Sequence, residues 1–237
     1  MQLGILYGIS VGTGDPELIT LKGLRWLQQC PVIAFPAGLA DRPGIAQRIV
    51  TNWLQPEQKT LSLSFPYVRD EATLISAWQK AAGEVWQYLQ QGKDVAFACE
   101  GDVSFYSSFT YLAQTLQELH PEIVIKTVPG VCSPMAVASV LQVPLTMRSQ
   151  RLAIIPAIYN TDELETVLSW AEVVILLKVS SVYQQVWQIL SKYNLLDRSW
   201  IVEKATFPQQ KIYRNLAQYP QLKLSYFSLL LIHNHQE

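Results

Sequence analysis

The chain has 237 residues, which is enough for one large domain or two small ones and excludes a mini-protein. Lysine and arginine number 18 against 19 aspartates and glutamates, and this formal net charge of -1 excludes a nucleic-acid binder that relies on a broadly basic surface. Hydrophobic residues make up 49% of the chain and charged residues 16%, so disorder is excluded and apolar surface is left over for a ligand cleft or a subunit interface.

Cysteine usage and the apolar stretches bear on the compartment. Cys30, Cys99 and Cys132 form neither an even disulfide set nor a C-x-x-C pair, and the first residues show no signal-peptide pattern, so we expect a cytoplasmic protein. Residues 127–147 carry no charge, but prolines and a glycine interrupt them, so we predict no membrane segment. No histidine lies at ligand spacing from a cysteine or carboxylate cluster, so we predict no metal site.

The first part of the chain reads as strands alternating with helices. An apolar run over 4–11 predicts a buried strand, and the turn Gly12-Thr13-Gly14 leads to Asp15, which is placed to cap a helix. The run 32–35 predicts a second strand, which Pro36 stops. Further along we predict a helix over 71–91 closed by Gly92, a strand over 94–99, a helix over 103–119 and a strand from Ile123.

The second part repeats the alternation. We predict a helix from Ser133 to Val143, a strand over 152–155, a helix that starts at a capping box of Asn160 and Glu163, strands over 173–177, 199–202 and 227–232, and a helix over 182–193. We place the domain boundary near His120, so that 1–120 and 121–237 form two domains. The alternation predicts an α/β fold with a mainly parallel sheet in each half and ligands at the carboxyl ends of strands.

Three glycine turns at predicted strand ends are the strongest candidates for chemistry. They are 12–16, 100–102 and 128–133, and two of them carry an aspartate beside the glycine. None completes a G-x-G-x-x-G or a P-loop pattern, so each is consistent either with a tight turn and helix cap or with a ligand site on a common rim of the sheet. Lys178, at the end of an apolar strand, either is solvated or binds an anionic ligand. Cys132 has no histidine near it in sequence that would activate it as a nucleophile.

The order and spacing of these turns resemble the tetrapyrrole (corrin/porphyrin) methylases over essentially the whole chain. The matching stretches are 7–22, 64–70, 100–107 and 128–131. The stretch 64–70, together with 34–38, resembles the precorrin-2 C20-methyltransferase branch in particular, because uroporphyrinogen methylases have an aspartate where Pro36 stands here.

The resemblance implies two α/β domains in a homodimer, with S-adenosyl-L-methionine in a cleft between them, a tetrapyrrole above it, and S-adenosyl-L-homocysteine as product. The N-terminal domain would supply the substrate trough and part of the cofactor site, and the C-terminal domain the remainder. Carried over by position, the cofactor contacts are Glu100, Gly101, Asp102, Phe105, Cys132, Ser133, Lys178 and Ala205. The substrate contacts are Gly12, Thr13, Gly14, Pro36, Ala37 and Gly38, and the catalytic candidates are Asp15 and Tyr106.

Three departures from the family pattern bear on these roles. Thr13 and Val103 each stand where a proline is common, and Cys132 stands where serine or threonine is frequent. The activity implied is methyl transfer from the sulfonium to C20 of precorrin-2, metal-free or cobalt-loaded. Two alternatives stay open: a family member that methylates another ring position or an unrelated substrate, and a tetrapyrrole-binding protein without activity.

Overall fold

The computed structural model describes residues 2–38, 42–66, 68, 70–156 and 162–234. The chain divides into two compact units, Met1–Cys132 and Ser133–Glu237. In the described part, no helix is both long enough and apolar enough to cross a membrane.

The first unit is a parallel sheet with helices between its strands. Its elements are β1 (Ile5–Ser10), α1 (Leu21–Gln29), β2 (Val32–Pro36), α2 (Ile45–Val50), β3 (Lys59–Leu63), α3 (Glu71–Leu89), β4 (Val95–Cys99), α4 (Ser108–Leu119) and β5 (Val124–Val128). The strand order is β3-β2-β4-β1-β5, and every pairing is parallel. β1, β2 and β4 are almost wholly buried, as expected for parallel strands covered on both faces, and this explains their continuous apolar sequences.

β5 belongs to the first unit, so the domain boundary lies later in the chain than the sequence predicted. β5 pairs with β1 from Ile5 opposite Val124 to Ile9 opposite Val128, so it is an edge strand of the first sheet. The first unit therefore extends to Cys132, whereas the sequence placed the boundary near 120. Pairing between strands more than a hundred residues apart leaves no local signal at the boundary.

The turn after β1 starts its helix later than the sequence indicated. The Asp15 side chain accepts a hydrogen bond from the Glu17 N–H at 2.9 Å, but it caps only a 3-10 turn over Pro16–Leu18. The chain then extends again, and α1 begins after Thr20, whose hydroxyl accepts from the Gly23 N–H at 3.0 Å. The long predicted helix is confirmed as α3, with Gly92 beyond its end at φ 75°.

The second unit is built on a mixed sheet. Its elements are α5 (Ser133–Leu141), β6 (Leu152–Ile155), α6 (Asp162–Leu168), β7 (Val173–Leu177), α7 (Tyr183–Lys192), β8 (Ser199–Glu203), β9 (Lys211–Tyr213) and β10 (Ser228–His233). The strand order is β6-β7-β10-β8-β9. Only the β6–β7 pairing is parallel, so the prediction of a mainly parallel sheet in each half is wrong for this half.

The sequence does not indicate the direction of β10, because this strand is buried and apolar, as parallel strands are. It lies between β7 and β8 and runs antiparallel to both. The sequence also left α2, β3 and β9 unassigned, and each of these elements is six residues or shorter. The capping residue Asn160 lies outside the described residues.

Candidate functional site

The carboxyl ends of three neighbouring strands bring the glycine turns of the first unit together. β4, β1 and β5 lie side by side in the same direction, and Ser10 pairs with Cys99 at their ends. The Gly12 N–H donates to the Gly101 C=O at 3.3 Å, and the Gly101 N–H donates to the Gly12 C=O at 2.6 Å. The prediction that the turns converge on one rim of the sheet is therefore confirmed.

Both bridging glycines are required by backbone geometry. Gly12 has φ 79° and Gly101 has φ 71°, which side chains disfavour. A Cβ on Gly12 would stand 2.7 Å from the Leu18 Cβ, so that position is also crowded. A Cβ on Gly101 would meet only the Cys132 Cα, at 3.8 Å, so the space above Gly101 is open to a ligand on the side away from Cys132.

Asp102 ties the three turns to one another. Its carboxylate accepts hydrogen bonds from the Gly130 N–H at 2.7 Å, from the Ser104 N–H at 2.8 Å and from the Ser10 hydroxyl at 3.4 Å. Desolvation alone would raise the pKa of Asp102, but the hydrogen bonds from Ser104, Gly130 and Ser10 outweigh it and hold the pKa below its usual value. The side chain has a structural role that the sequence did not indicate.

Ser10 is a site residue that the sequence analysis missed, and for Gly130, within the predicted turn 128–133, it did not indicate the hydrogen bond to Asp102. The Ser10 hydroxyl donates to Asp102 and accepts from the Val103 N–H at 3.0 Å, so it is paired on both sides although it is fully buried. A Cβ on Gly130 would overlap the Ser10 Cβ, which explains the glycine. A serine at the end of an otherwise apolar strand was the available signal, because a buried hydroxyl needs a partner.

Glu100 differs from Asp102 in having no such partners. It is half-buried, and its carboxylate accepts no hydrogen bond from the residues that the structure describes. Desolvation raises the pKa of Glu100 to about 7. At neutral pH this carboxyl group is thus poised between its two protonation states, which suits it to hold a cationic ligand or to accept a proton.

The segment after Asp102 presents aromatic side chains. The Phe105 N–H donates to the Asp102 C=O at 3.1 Å, and the Phe105 and Tyr106 rings meet edge to face at 4.7 Å. Tyr106 is 60% exposed and has φ 51°, so its hydroxyl is accessible and its backbone is strained. Cys132 is half-buried in the adjacent turn and forms no disulfide with the other described cysteines.

The turn after β2 is tighter than the sequence indicated. The Ala37 N–H donates to the Leu63 C=O at 2.7 Å, so this residue continues the pairing of the strands. A Cβ on Gly38 would overlap the Arg42 C=O, so glycine is present because two backbone segments approach closely. The Arg42 C=O therefore fills the space that a side chain at Gly38 would take, and the predicted substrate contact at Gly38 stays a prediction. Pro36 and Ala37 are half-buried at the end of β2.

The substrate and catalytic candidates before α1 are also placed. Thr13 is buried at 5% exposure, Gly14 and Asp15 are half-buried, and all three follow the Gly12 bridge. The Asp15 carboxylate is used as the cap described above. Ser133 is the first residue of α5 and therefore belongs to the second unit.

In the second unit, Lys178 and Ala205 follow the ends of β7 and β8. Both strands run antiparallel to β10, so both end at the same edge of the sheet. Lys178, Lys204 and Thr206 have φ values of 55°, 49° and 68°, a left-handed conformation that costs energy in residues other than glycine. Ala205 is buried between two of them. Such clustered strain is typical of a functional edge.

The chain resembles known proteins over nearly its full length. The family model for Tetrapyrrole (Corrin/Porphyrin) Methylases matches residues 5–219. A cobalt-precorrin-2 C(20)-methyltransferase of Salmonella typhimurium is 29% identical over 235 residues, which are 99% of this chain and 98% of that protein. A precorrin-2 C(20)-methyltransferase of a Sinorhizobium species is 29% identical over 97% of this chain and 95% of that protein.

Solved structures show the same fold. A cobalt precorrin-4 methyltransferase superimposes with a TM-score of 0.74 at 22% identity, covering 96% of this chain and 93% of that one. The uroporphyrin-III C-methyl transferase of Thermus thermophilus, complexed with S-adenosyl homocysteine, gives a TM-score of 0.67 at 18% identity over 97% and 92% of the two chains.

Proposed function

Because the chain belongs to the tetrapyrrole (corrin/porphyrin) methylase family, we propose that it is an S-adenosyl-L-methionine-dependent methyltransferase acting on C20 of precorrin-2 or its cobalt form. The observation that carries the proposal is the full-length similarity to two C20-methyltransferases, one named for the cobalt-loaded and one for the metal-free substrate. The similarity to a precorrin-4 C(11)-methyltransferase of Pseudomonas aeruginosa spans only 60% of this chain, which favours C20 over that alternative.

The described residues fit the cofactor. Gly101 presents an open backbone at the carboxyl edge of the first sheet, where glycine turns allow close approach of a ligand. Glu100 offers beside it a half-buried carboxylate that no described residue satisfies, which suits a cationic ligand. We assign Glu100, Gly101, Phe105 and Cys132 of the first unit to the cofactor. The other predicted cofactor contacts, Asp102, Ser133, Lys178 and Ala205, stay predictions.

The chemistry requires positioning more than activation. When bound, the cofactor supplies an electrophilic methyl group, so that the new carbon–carbon bond forms as the carbon–sulfur bond breaks with its electron pair left on sulfur. Orientation of the two reactants lowers such a barrier by up to about 7 to 11 kcal/mol. The rigid bridge between Gly12 and Gly101 and the hydrogen bonds to Asp102 fix the rim on which that orientation depends.

The proton of the methylated carbon must leave after the transfer. Glu100 is suited to hold it, because the pKa of this carboxyl is raised to about 7 and one of its oxygens can take a proton near neutral pH. The Tyr106 hydroxyl is exposed and can contact the substrate, whereas the Asp15 carboxylate is already used as a cap. We therefore place Glu100 before Asp15 as the proton acceptor.

We further propose a cytoplasmic homodimer. Its support is the low charged fraction of 16% and the exposed aromatic surface of the first unit, where Trp78 stacks on Tyr111 at 4.4 Å. Tyr111 is exposed in the single chain. Sedimentation at micromolar concentration is expected to give a dimer, and a monomer there would exclude this assembly.

Incubation with labelled S-adenosyl-L-methionine tests the activity. Metal-free and cobalt-loaded precorrin-2 are supplied in parallel, and label is expected in at least one macrocycle. Addition of S-adenosyl-L-homocysteine is expected to inhibit the transfer, because product and cofactor share one site. Tetrapyrrole binding without any label transfer would favour a non-enzymatic carrier.

A further inference from the structure

The carboxyl edge of the second sheet combines exposed aromatic rings with a lysine. Tyr226 and Phe227 immediately precede β10, and their rings meet edge to face at 5.2 Å. They are 45% and 40% exposed. The Lys178 Nζ lies 5.4 Å from the centroid of the Tyr226 ring, within reach of a cation–π contact. Paired rings that are partly exposed beside a cation are typical of surface that receives a ligand.

A second lysine follows the strand on the other side of β10. Lys178 follows β7 and Lys204 follows β8, and these strands pair with β10 on its two sides. The Lys204 N–H donates to the Phe227 C=O at 2.8 Å, which fixes its backbone against the aromatic pair. Because neighbouring strands lie about 4.8 Å apart, the two lysine backbones stand about 10 Å apart with the start of β10 between them.

The segments that form this edge contain no acidic residue. They are 178–182, 204–210 and 219–227, and their charged residues are Lys178, Lys204 and Lys223. These segments carry a formal charge of +3 in a chain whose formal net charge is -1. Such local charge attracts an anionic ligand and strengthens its binding at low salt.

The neighbouring carboxylate is engaged elsewhere. Glu203, the last residue of β8, is 6% exposed and accepts hydrogen bonds from the Ser225 N–H at 2.6 Å and from the Tyr213 hydroxyl at 3.0 Å. Because its oxygens point to these donors, it holds the loop before β10 in place. No ion pair joins it to Lys178 or Lys204 among the described residues.

We propose that this basic edge, defined by Lys178, Lys204, Lys223, Tyr226 and Phe227, binds the substrate macrocycle. The lysines receive carboxylate side chains on the rim of the tetrapyrrole, and the two rings pack against its face. The assignment rests on the proposed function and adds to it the contacts that select a polycarboxylate ring. In this assignment the Lys178 ammonium binds the substrate, whereas the Lys178 backbone remains a predicted cofactor contact.

Another carboxylate could reach the same lysines, namely that of the amino-acid part of the cofactor. Three ligands therefore separate the sources. Uroporphyrin carries twice as many carboxylates as coproporphyrin on the same flat ring, and S-adenosyl-L-homocysteine carries a carboxylate without the ring. Binding of the porphyrins is followed by fluorescence and binding of S-adenosyl-L-homocysteine by calorimetry, each at low and high salt.

The variants are chosen to keep the backbone. Lys178→Met and Lys204→Met retain a long side chain in the same left-handed conformation and remove only the charge. Lys192→Met is the matched control, since it removes one charge from an exposed pair with Glu165 on α7. Tyr226→Leu removes the ring and leaves the lysines.

The wild-type protein is expected to bind uroporphyrin more tightly than coproporphyrin, with a difference that shrinks at high salt. Lys178→Met and Lys204→Met are each expected to weaken uroporphyrin binding about fivefold and to leave S-adenosyl-L-homocysteine unchanged. Tyr226→Leu is expected to weaken both porphyrins equally. Lys192→Met is expected to match the wild type in all three.

Two results would overturn the assignment: lysine variants that bind uroporphyrin as the Lys192→Met control does, or variants that lose S-adenosyl-L-homocysteine as strongly as uroporphyrin. Porphyrin binding does not depend on methyl transfer. Loss of the methyltransferase activity with lysine dependence intact would therefore count against the proposed function alone.

Discussion

Removal of the Asp102 carboxylate tests whether this residue holds the first unit together. Asp102→Ala leaves the Gly130 N–H without its acceptor and frees the Ser10 hydroxyl. A hydrogen bond to a charged group contributes about 1.5 to 3 kcal/mol, and a buried donor left unpaired costs a similar amount. The Gly130 bond is short and partly buried, whereas the Ser104 bonds are exposed and add little. We expect a loss of about 3 kcal/mol in the free energy of unfolding.

Two further variants define this effect. Asp102→Asn keeps one acceptor oxygen without the charge, and we expect about half the loss. Asp15→Ala is the matched control, because Asp15 is also an aspartate beside a glycine turn but its hydrogen bond from the Glu17 N–H is exposed, so its loss is expected to be about 1 kcal/mol or less.

Hydrogen exchange locates the destabilisation, since two units need not unfold together. Amides of β1, β4 and β5 are expected to exchange faster in Asp102→Ala, while those of β7 and β10 are unchanged. The folded pKa of Asp102 is lowered, so its contribution is present above the unfolded value of about 3.9 and is lost as pH falls through the folded value. An Asp102→Ala protein as stable as Asp15→Ala at neutral pH would refute this structural role.

Three other predictions follow from the same edge. Glu100→Gln is expected to be more stable than the wild type by about 1 kcal/mol at pH 8, allowing for partial exposure, and equally stable below pH ~4.3. The reason is that a raised folded pKa of Glu100 contributes stability at low pH, which is lost as pH rises through about 7. Equal urea midpoints of the two proteins at pH 8 would contradict this. Binding of S-adenosyl-L-methionine is expected to release protons near pH 7, and binding of S-adenosyl-L-homocysteine is expected to release fewer protons, because only the former is a sulfonium cation. Calorimetry in buffers of different ionisation enthalpy measures the number of protons released. Identical proton release by the two ligands would show that Glu100 does not interact with the sulfonium. Gly12→Ala is expected to destabilise the protein by more than about 1 kcal/mol. Gly83→Ala, in α3 with open space where its Cβ would stand, is expected to stabilise the protein by about 0.5 to 1 kcal/mol. Thermal melting of the two variants measures this contrast, and an unchanged stability of Gly12→Ala would contradict it.

The first sheet was largely predictable because its signals are local. Continuous apolar runs marked β1, β2 and β4, and glycine turns marked where they end. Residue order alone then indicated that the turns would meet, since parallel strands end at one edge. The bridge between Gly12 and Gly101 bears this out.

The remaining features depend on contacts between distant residues. The sequence does not show that Asp102 accepts from Gly130, because this contact joins separate loops. It also does not show that Gly38 lies against Arg42, because no local motif indicates that contact. The direction of β10 depends on how the chain returns after β9, which its apolar pattern cannot reveal. Glu100 accepts no hydrogen bond from the described residues, and burial raises its pKa. Both features depend on the folded surroundings, which no local motif encodes.

The position of the new methyl group tests the central claim most directly. Purified protein, precorrin-2 or its cobalt form, and S-adenosyl-L-methionine with a carbon-13 methyl group are incubated together, and the product is examined by carbon NMR. The account predicts a single enriched methyl group bonded to C20. An enriched methyl group at any other carbon would contradict the C20 assignment, and the absence of enrichment from both substrates would contradict the methyltransferase activity.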